Sequence, residues 1–340
     1  MEMSVGVVFL LFWTVRARRL LAAGLCLLAG LAAVSVCAVQ SRAADSYIKY
    51  VEFNVPYAAL HKAMEDDISC GGKVSWIDTL AYLAAKYGGE WGRYKAADMD
   101  AVLEKLHGGE DIAGLTRGMK YFPYFREAYG AVLGGLLGDY VQELPGEEGE
   151  EPAWTARYGL RAYSPVAEGY YYNDFDDFGA SRSYGFARQH MGHDLMGSVG
   201  TPIVAVETGT VEVMGWNQYG GWRIGIRSLD QKRYWYYAHL RKDHPFQEGL
   251  REGDRVTAGQ VIGYLGQTGY SSKENVNGIE TPHLHYGLEL VFEEKQKESN
   301  NEIWVDLYAL TRLLSEHRST VYREGKEYYR MYDMIWCGTE

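Results

Sequence analysis

The sequence predicts an α+β chain of two domains, a small all-α domain followed by an all-β antiparallel one. Three observations carry this. Apolar residues recur at helical spacing from about Asp45 to Leu144. Beyond an acidic, Pro/Gly-containing stretch, the chain turns to short runs of Val, Ile, Tyr and Thr separated by turn residues. Within that half, Thr281 to Val291 alternates between faces as a half-buried strand would, and it carries two histidines two positions apart. The expected organisation is an export or anchor segment over 1–44 and a helical domain without assigned role over 45–142. An acidic linker over 143–155, a β domain with a terminal helix over 156–318 and a tail over 319–340 complete it. At 340 residues the chain is long enough for two cores.

In chain order, Leu20 to Val39 is an apolar or small-residue run of about the length that crosses a bilayer, preceded by Arg16, Arg18 and Arg19. Positive charge on that flank directs the remainder outward. Val36-Cys37-Ala38 offers the small residues a signal peptidase favours, so a cleaved signal peptide and a retained single-helix membrane anchor both fit. In either case the rest of the chain is expected outside the cytoplasm.

The helical segment shows Tyr57, Leu60, His61 and Met64 on one stripe and Trp76, Leu80 and Leu83 on another. Met99 to Leu106 suggests a third helix and Tyr124 to Val141 the longest, with Gly88-Gly89 and Gly108-Gly109 as turns. Glu143 to Pro152 combines two prolines, two glycines and like charges, the composition of an extended linker. After it, Pro202 to Val206 and Gly209 to Val213 read as a strand pair. Trp222 to Arg227 and Arg233 to Tyr237 flank the turn Leu229 to Lys232, and Leu250 to Val256 and Gln260 to Leu265 continue the series. Ile303 to Leu314 returns to helical spacing.

Composition removes several function classes. A net charge of −11 without a basic stripe lacks the footprint of a nucleic-acid binder. Of four cysteines, Cys26 and Cys37 lie in the N-terminal run; the spacing of Cys70 and Cys337 favours no disulfide, and without a C-x-x-C there is no thiolate zinc knuckle. The 28 tyrosines would suit a surface that rests on sugars or peptides.

If Thr281 to Leu290 is extended, His283 and His285 project from one face and Leu284 from the other. An isolated H-x-H is usually an ordinary surface pair, but this one has company. Arg188 to Leu195 places a histidine and a carboxylate four positions apart, His190 and Asp194. With His285 they offer two imidazoles and one carboxylate, the three-ligand set of a catalytic zinc that keeps a fourth position for water. Magnesium or calcium would call for more oxygen ligands. Hydrolysis also needs a base and a donor for the oxyanion. His283 and His239, the latter at a strand exit in Tyr237-Ala238-His239-Leu240, are the histidines left for those tasks.

H-x-x-x-D in His190 to Asp194, Gly200 to Ala205, Tyr237 to Leu240, Gly253-Asp254-Arg255-Val256 and His283-Leu284-His285 resemble, in order and spacing, the lysostaphin-type (LytM-like) peptidoglycan zinc metalloendopeptidases. The similarity covers roughly residues 164–291. It implies the lysostaphin-type (duplicated hybrid motif-like) β fold and Zn2+ held by His190, Asp194 and His285, with His283 and His239 acting on the water and the tetrahedral intermediate. A tyrosine shortly before the first ligand, here Tyr184, would help polarise the substrate carbonyl. The implied partners are peptidoglycan peptides, cut in the stem or cross-bridge by a protein secreted to the wall or anchored to the membrane.

Other residues read differently. His193 is extra to the pattern and in an extended chain points away from the metal face, as a supporting or solvated residue. Asp174, Asp176 and Asp177 form an acidic loop read as solvated, Gly269 to Glu280 a polar loop that would wall a groove, and His61, His107, His244 and His317 stay unassigned. Two rival readings are a non-catalytic wall-binding scaffold of the same fold, which would show missing ligands, and a muramidase in the helical half using Glu90 or Glu127.

Overall fold

The computed structural model describes residues 48–144, 146, 152–183, 187–297 and 301–336. The expected export segment, Tyr184 and Cys337 lie outside the described residues. Among the described residues no helix is long and apolar enough to cross a membrane.

Five helices open the described chain: α1 (Tyr57–Ser69), α2 (Trp76–Tyr87), α3 (Ala96–His107), the one-turn α4 (Ile112–Leu115) and α5 (Phe122–Leu133). Local chemistry sets their ends. The Ser75 hydroxyl accepts the Asp78 N–H at 3.3 Å to start α2, and Gly88, at φ 67°, closes it in the left-handed conformation that costs a side-chain-bearing residue more. Leu60, Leu80, Leu83 and Leu133 are fully buried, each contributing roughly 1.5–3 kcal/mol of apolar burial.

The expected helix from Tyr124 to Val141 is cut short. It stops at Leu133, and Leu137–Leu144 forms strand β1. Gly134 and Gly135 are the reason: a Cβ at Gly134 would sit 2.4 Å from the Gly130 carbonyl, and one at Gly135 would sit 2.9 Å from Glu207 Oε1. The chain turns where it meets a buried carboxylate. β1 then pairs antiparallel with β2 (Ala153–Leu160) from Leu137↔Leu160 to Leu144↔Ala153. The acidic Pro/Gly stretch thus joins two paired strands and does not separate two domains. Lys49–Glu340 is one compact unit, with the helices packed directly on the β half.

The main sheet has eight antiparallel strands. Its longer members are β3 (His193–Met196), β4 (Gly209–Asn217), β5 (Gly221–Ser228), β6 (Arg233–Ala238) and β7 (His283–Leu290). The order is Arg255–Val256, β4, β5, β6, β7, β3, Asn173–Asp174, and Ile303–Trp304 pairs with the far end of β7. The β5–β6 hairpin falls where its turn residues placed it, with Tyr234↔Arg227 in register. The expected pairing of Pro202 to Val206 with Gly209 to Val213 does not form: Pro202–Val204 pairs with Val261–Tyr264, and β4 pairs with β5. Alternation on β7 sends Leu284, Tyr286, Leu288 and Leu290, all fully buried, into the core and leaves the histidine face for chemistry.

The expected helix from Ile303 resolves into Ile303–Trp304 as a strand followed by α6 (Tyr308–Leu314). The described part of the tail, 319–336, carries strands as well. Val321–Glu324 and Glu327–Arg330 form a hairpin, and β8 (Met334–Trp336) adds to β1 through Tyr140↔Trp336.

Candidate metal centre

β7 is central in the sheet, and β3 beside it sets the register His285↔Asp194. His190, on the segment leading into β3, completes the group. His190 Nε2 lies 2.9 Å from His285 Nδ1 and 3.1 Å from Asp194 Oδ1, and His285 Nδ1 lies 3.1 Å from the same oxygen. These three atoms are the one set of three or more His, Cys, Asp or Glu donors close enough together, among the described residues, to hold a metal ion. Tetrahedral zinc with bonds of about 2.0–2.2 Å separates its ligands by roughly 3.3–3.6 Å, so the cluster needs to open by only a few tenths of an ångström.

Electrostatics agree with a cation at this point. Burial alone would raise the Asp194 pKa, but hydrogen bonds from His190 and His285 outweigh it and hold the carboxyl far below the usual carboxylate range. Burial opposes charge on His190 as well, yet Asp177 and Asp194 push its pKa up to about 9. The site is a sink for positive charge.

The neighbours fix which ring nitrogen faces the cluster. His190 Nδ1 lies 3.1 Å from the Asp177 carbonyl oxygen, an atom that only accepts, so Nδ1 carries a proton and Nε2 is the nitrogen that faces the cluster and would give its lone pair to a metal. Asp177 Oδ2 also lies 3.1 Å from Nδ1, and Arg182 Nη2 donates to Asp177 Oδ2 at 2.5 Å and to Asp194 Oδ2 at 3.1 Å. The reading of Asp177 as solvated is therefore wrong, because this carboxylate orients a cluster histidine. Gly192 is fixed by close approach: a Cβ there would come within 2.8 Å of His285 Cε1 and of the Tyr286 carbonyl.

His239 and His283 stand next to the cluster with matching tautomers. His239 Nδ1 is 2.9 Å from the Thr268 carbonyl and His283 Nδ1 is 2.8 Å from the Thr281 carbonyl, so each donates there and leaves Nε2 as the ring nitrogen available to the cluster. His283 Nε2 is 3.7 Å from Asp194 Oδ1, and the two rings are 4.9 Å apart. Burial, then the neighbouring His283 and His285, hold the His239 pKa well below 6.5, so this imidazole is neutral. Its φ of 61° carries it out of β6 toward the cluster.

His193 points to the opposite side, as alternation requires, but it is fully buried and not solvated. Its Nε2 accepts the Leu307 N–H at 2.9 Å and ties β3 to the start of α6. His61, His107, His244 and His317 lie outside the cluster. Tyr270, in the loop read as a groove wall, stands 5.7 Å from the His239 ring, and Arg188 donates to its hydroxyl. A loop tyrosine at φ 48° leaves no periodic signal in sequence. Together these residues border a groove of about 630 Å³.

An antiparallel sheet thus brings together two imidazoles and a carboxylate, with two further histidines alongside, a donor set that suits a metal ion. Residues 188–300, about a third of the chain, match the model of Peptidase family M23. The L-Ala–D-Glu endopeptidase of Bacillus subtilis is 40% identical over 124 residues, 36% of this chain and 36% of that protein. Lysostaphin of Staphylococcus simulans is 38% identical over 98 residues, 28% of this chain and 17% of that protein. The matches thus span about a third or less of these relatives. The LytM structure from Ruminococcus gnavus, 23% identical, covers 80% of this chain and 92% of that one at a TM-score of 0.51, a likeness of fold that extends well beyond the M23 segment.

Proposed function

We propose that this protein is an extracytoplasmic zinc endopeptidase that hydrolyses peptide bonds in the stem or cross-bridge of peptidoglycan. The observation that carries the reading is the meeting of His190 Nε2, Asp194 Oδ1 and His285 Nδ1 at 2.9–3.1 Å. M23 relatives named as L-Ala–D-Glu endopeptidase and lysostaphin support the substrate class, and the arginine-flanked hydrophobic run at 20–39 supports the location.

His190, Asp194 and His285 would hold zinc, which when bound supplies Lewis-acid polarisation of a carbonyl and a water acidic enough to ionise near neutral pH. The chain's own residues supply the rest. His283, anchored through Nδ1 on the Thr281 carbonyl, accepts the proton of the attacking water at Nε2 and returns it to the leaving amine. His239, neutral and anchored on Thr268, lends its Nε2 to the same proton or, once protonated, faces the developing oxyanion. Arg182 holds the outer oxygen of Asp194 and leaves Oδ1 for the metal. Tyr184 is proposed to steady the substrate carbonyl.

The test is to purify the chain from residue 45, measure bound zinc, and follow muropeptide release from sacculi with and without a chelator. Loss on chelation, recovery with zinc and no release by His285→Ala are the expected results. Unchanged turnover in His285→Ala would overturn the reading.

A further inference from the structure

The groove beside the cluster is built on one face of the sheet. His285 on β7 stands opposite Ala238 on β6, and Tyr236, two residues before Ala238 and so on the same face, stands opposite Gly225 on β5. Arg223, two residues before Gly225, shares that face at the level of His285, two strands away. With strands about 4.8 Å apart, the two Cα atoms are separated by roughly 10 Å, and an arginine side chain spans most of that gap. A bound peptide advances about 3.3–3.6 Å per residue, which puts the Arg223 guanidinium about one or two residues from the metal cluster.

A second arginine faces the same space. Arg188 lies with its guanidinium 5.4 Å from the Tyr270 ring centre, next to His239. Both arginines line the groove, and in both the Nε atom is buried without a hydrogen-bond partner among the described residues. Tyr236 stands edge-on to His285 at 5.9 Å. Burial pushes its phenol up, while positive charge from Arg223 and Arg188 works against that rise. Outside the cluster, the acidic groove residues lie toward Trp304: Glu302 receives the Trp304 indole N–H at 2.8 Å, and Glu289 sits opposite Trp304 in register. Arg223 and Arg188 thus add positive charge on the groove wall near the histidines, where Asp194 is committed to the cluster, while Glu289 and Glu302 lie toward Trp304 together with Lys297. A half-buried guanidinium with an unmet N–H recovers that loss when a carboxylate docks on it.

We infer that Arg223, assisted by Arg188, is a specificity-determining receptor for a free carboxylate on the residue next to the scissile bond, so that the groove selects anionic stem-type peptides over neutral glycine bridges. This rests on the endopeptidase reading above.

The experiment uses the zinc-loaded chain and two probes, the tripeptide L-Ala-γ-D-Glu-L-Lys and its α-amide, which differ by one charge. Cleavage is followed by chromatography and binding by calorimetry, for the wild type, Arg223→Gln and Arg223→Lys. A charge-assisted contact predicts a preference for the acid of about tenfold or more in kcat/KM, carried mainly by KM. Arg223→Gln should bring acid and amide to within about twofold of each other, and Arg223→Lys should restore part of the difference. Equal handling of the two peptides by the wild type, or an unchanged ratio in Arg223→Gln, overturns the assignment. If neither peptide is cut, binding decides: acid-selective binding lost in Arg223→Gln upholds the receptor while the hydrolase reading fails, and equal binding of both peptides refutes the receptor.

Discussion

His190 and Asp177 are joined on the side of the imidazole that faces away from the cluster, with Nδ1 3.1 Å from both the carbonyl oxygen and Oδ2 of Asp177. This contact fixes the tautomer that a metal requires and makes Nε2 more basic. Asp177→Ala is expected to weaken zinc affinity by about 10–100-fold while leaving the three direct donors in place. Competition against a chromophoric chelator measures it. An unchanged affinity would mean that the backbone carbonyl orients the ring alone.

His239 and His283 differ from the cluster histidines in what they should cost. Neither is needed to hold the ion, so His239→Ala and His283→Ala should keep stoichiometric zinc by metal analysis. Removal of a positioned proton acceptor should lower kcat by about 10²–10⁴. Loss of zinc from either variant would move that residue from proton transfer into metal binding.

What the sequence disclosed here was governed by range. His283 and His285 were placed on one face by the period of two, and Asp194 needed only the recurrence of a histidine and a carboxylate beside it. Asp177 escaped because its role depends on a loop folding back over His190, thirteen positions away, and an acidic run reads the same whether it is solvated or hydrogen-bonded. Arg223 escaped because its alignment with His285 is a matter of strand order. The helical prediction to Val141 failed for a related reason. Helical spacing continued in sequence past Gly134-Gly135, but those glycines are required by the approach of Glu207, more than seventy residues distant. The supposed linker was legible as turn-like, yet its flanks gave no sign that they pair with each other.

Asp174 gives a pH dependence away from the cluster. Burial raises its pKa from 3.8 to about 6, and Oδ1 is buried without a hydrogen-bond partner among the described residues. In the unfolded chain the proton leaves near 3.8, so between that value and about 6 the folded state holds a proton the unfolded state does not. This contribution to stability is fully present below about pH 4 and is lost as pH rises through about 6. The side chain is only half-buried, so solvent screening reduces the effect to about 1–2 kcal/mol. Urea unfolding should therefore show Asp174→Asn more stable than the wild type by that amount at pH 7.5, by about a third of it at pH 4.5, and close to equal to it at pH 3.5. A constant difference at all three values would assign the effect to packing.

The joint between helices and sheet rests on Arg233, which is 1% exposed. Its Nε and Nη2 donate to Glu207 at 2.8 and 2.9 Å, Nη2 also reaches Asp230 at 3.0 Å, and Nη1 donates at 2.9 Å to the Ala131 carbonyl in the last turn of α5. Trp235 Nε1 donates to Glu207 at 2.8 Å, so the carboxylate is held from two sides. A guanidinium at a helix C-terminus meets the negative end of the helix dipole, which favours the same geometry. Removing one partner strands the other: Glu207→Ala should cost about 3–5 kcal/mol, because Arg233 would keep its charge in a dry site with Asp230 as its remaining counterion. Replacing both, as Arg233→Met with Glu207→Leu, should cost clearly less than the single change, since no buried charge is left uncompensated. Urea unfolding of the single and double variants measures the difference. A double variant as unstable as Glu207→Ala would show that the helix–sheet joint depends on the Ala131 hydrogen bond and not on charge balance.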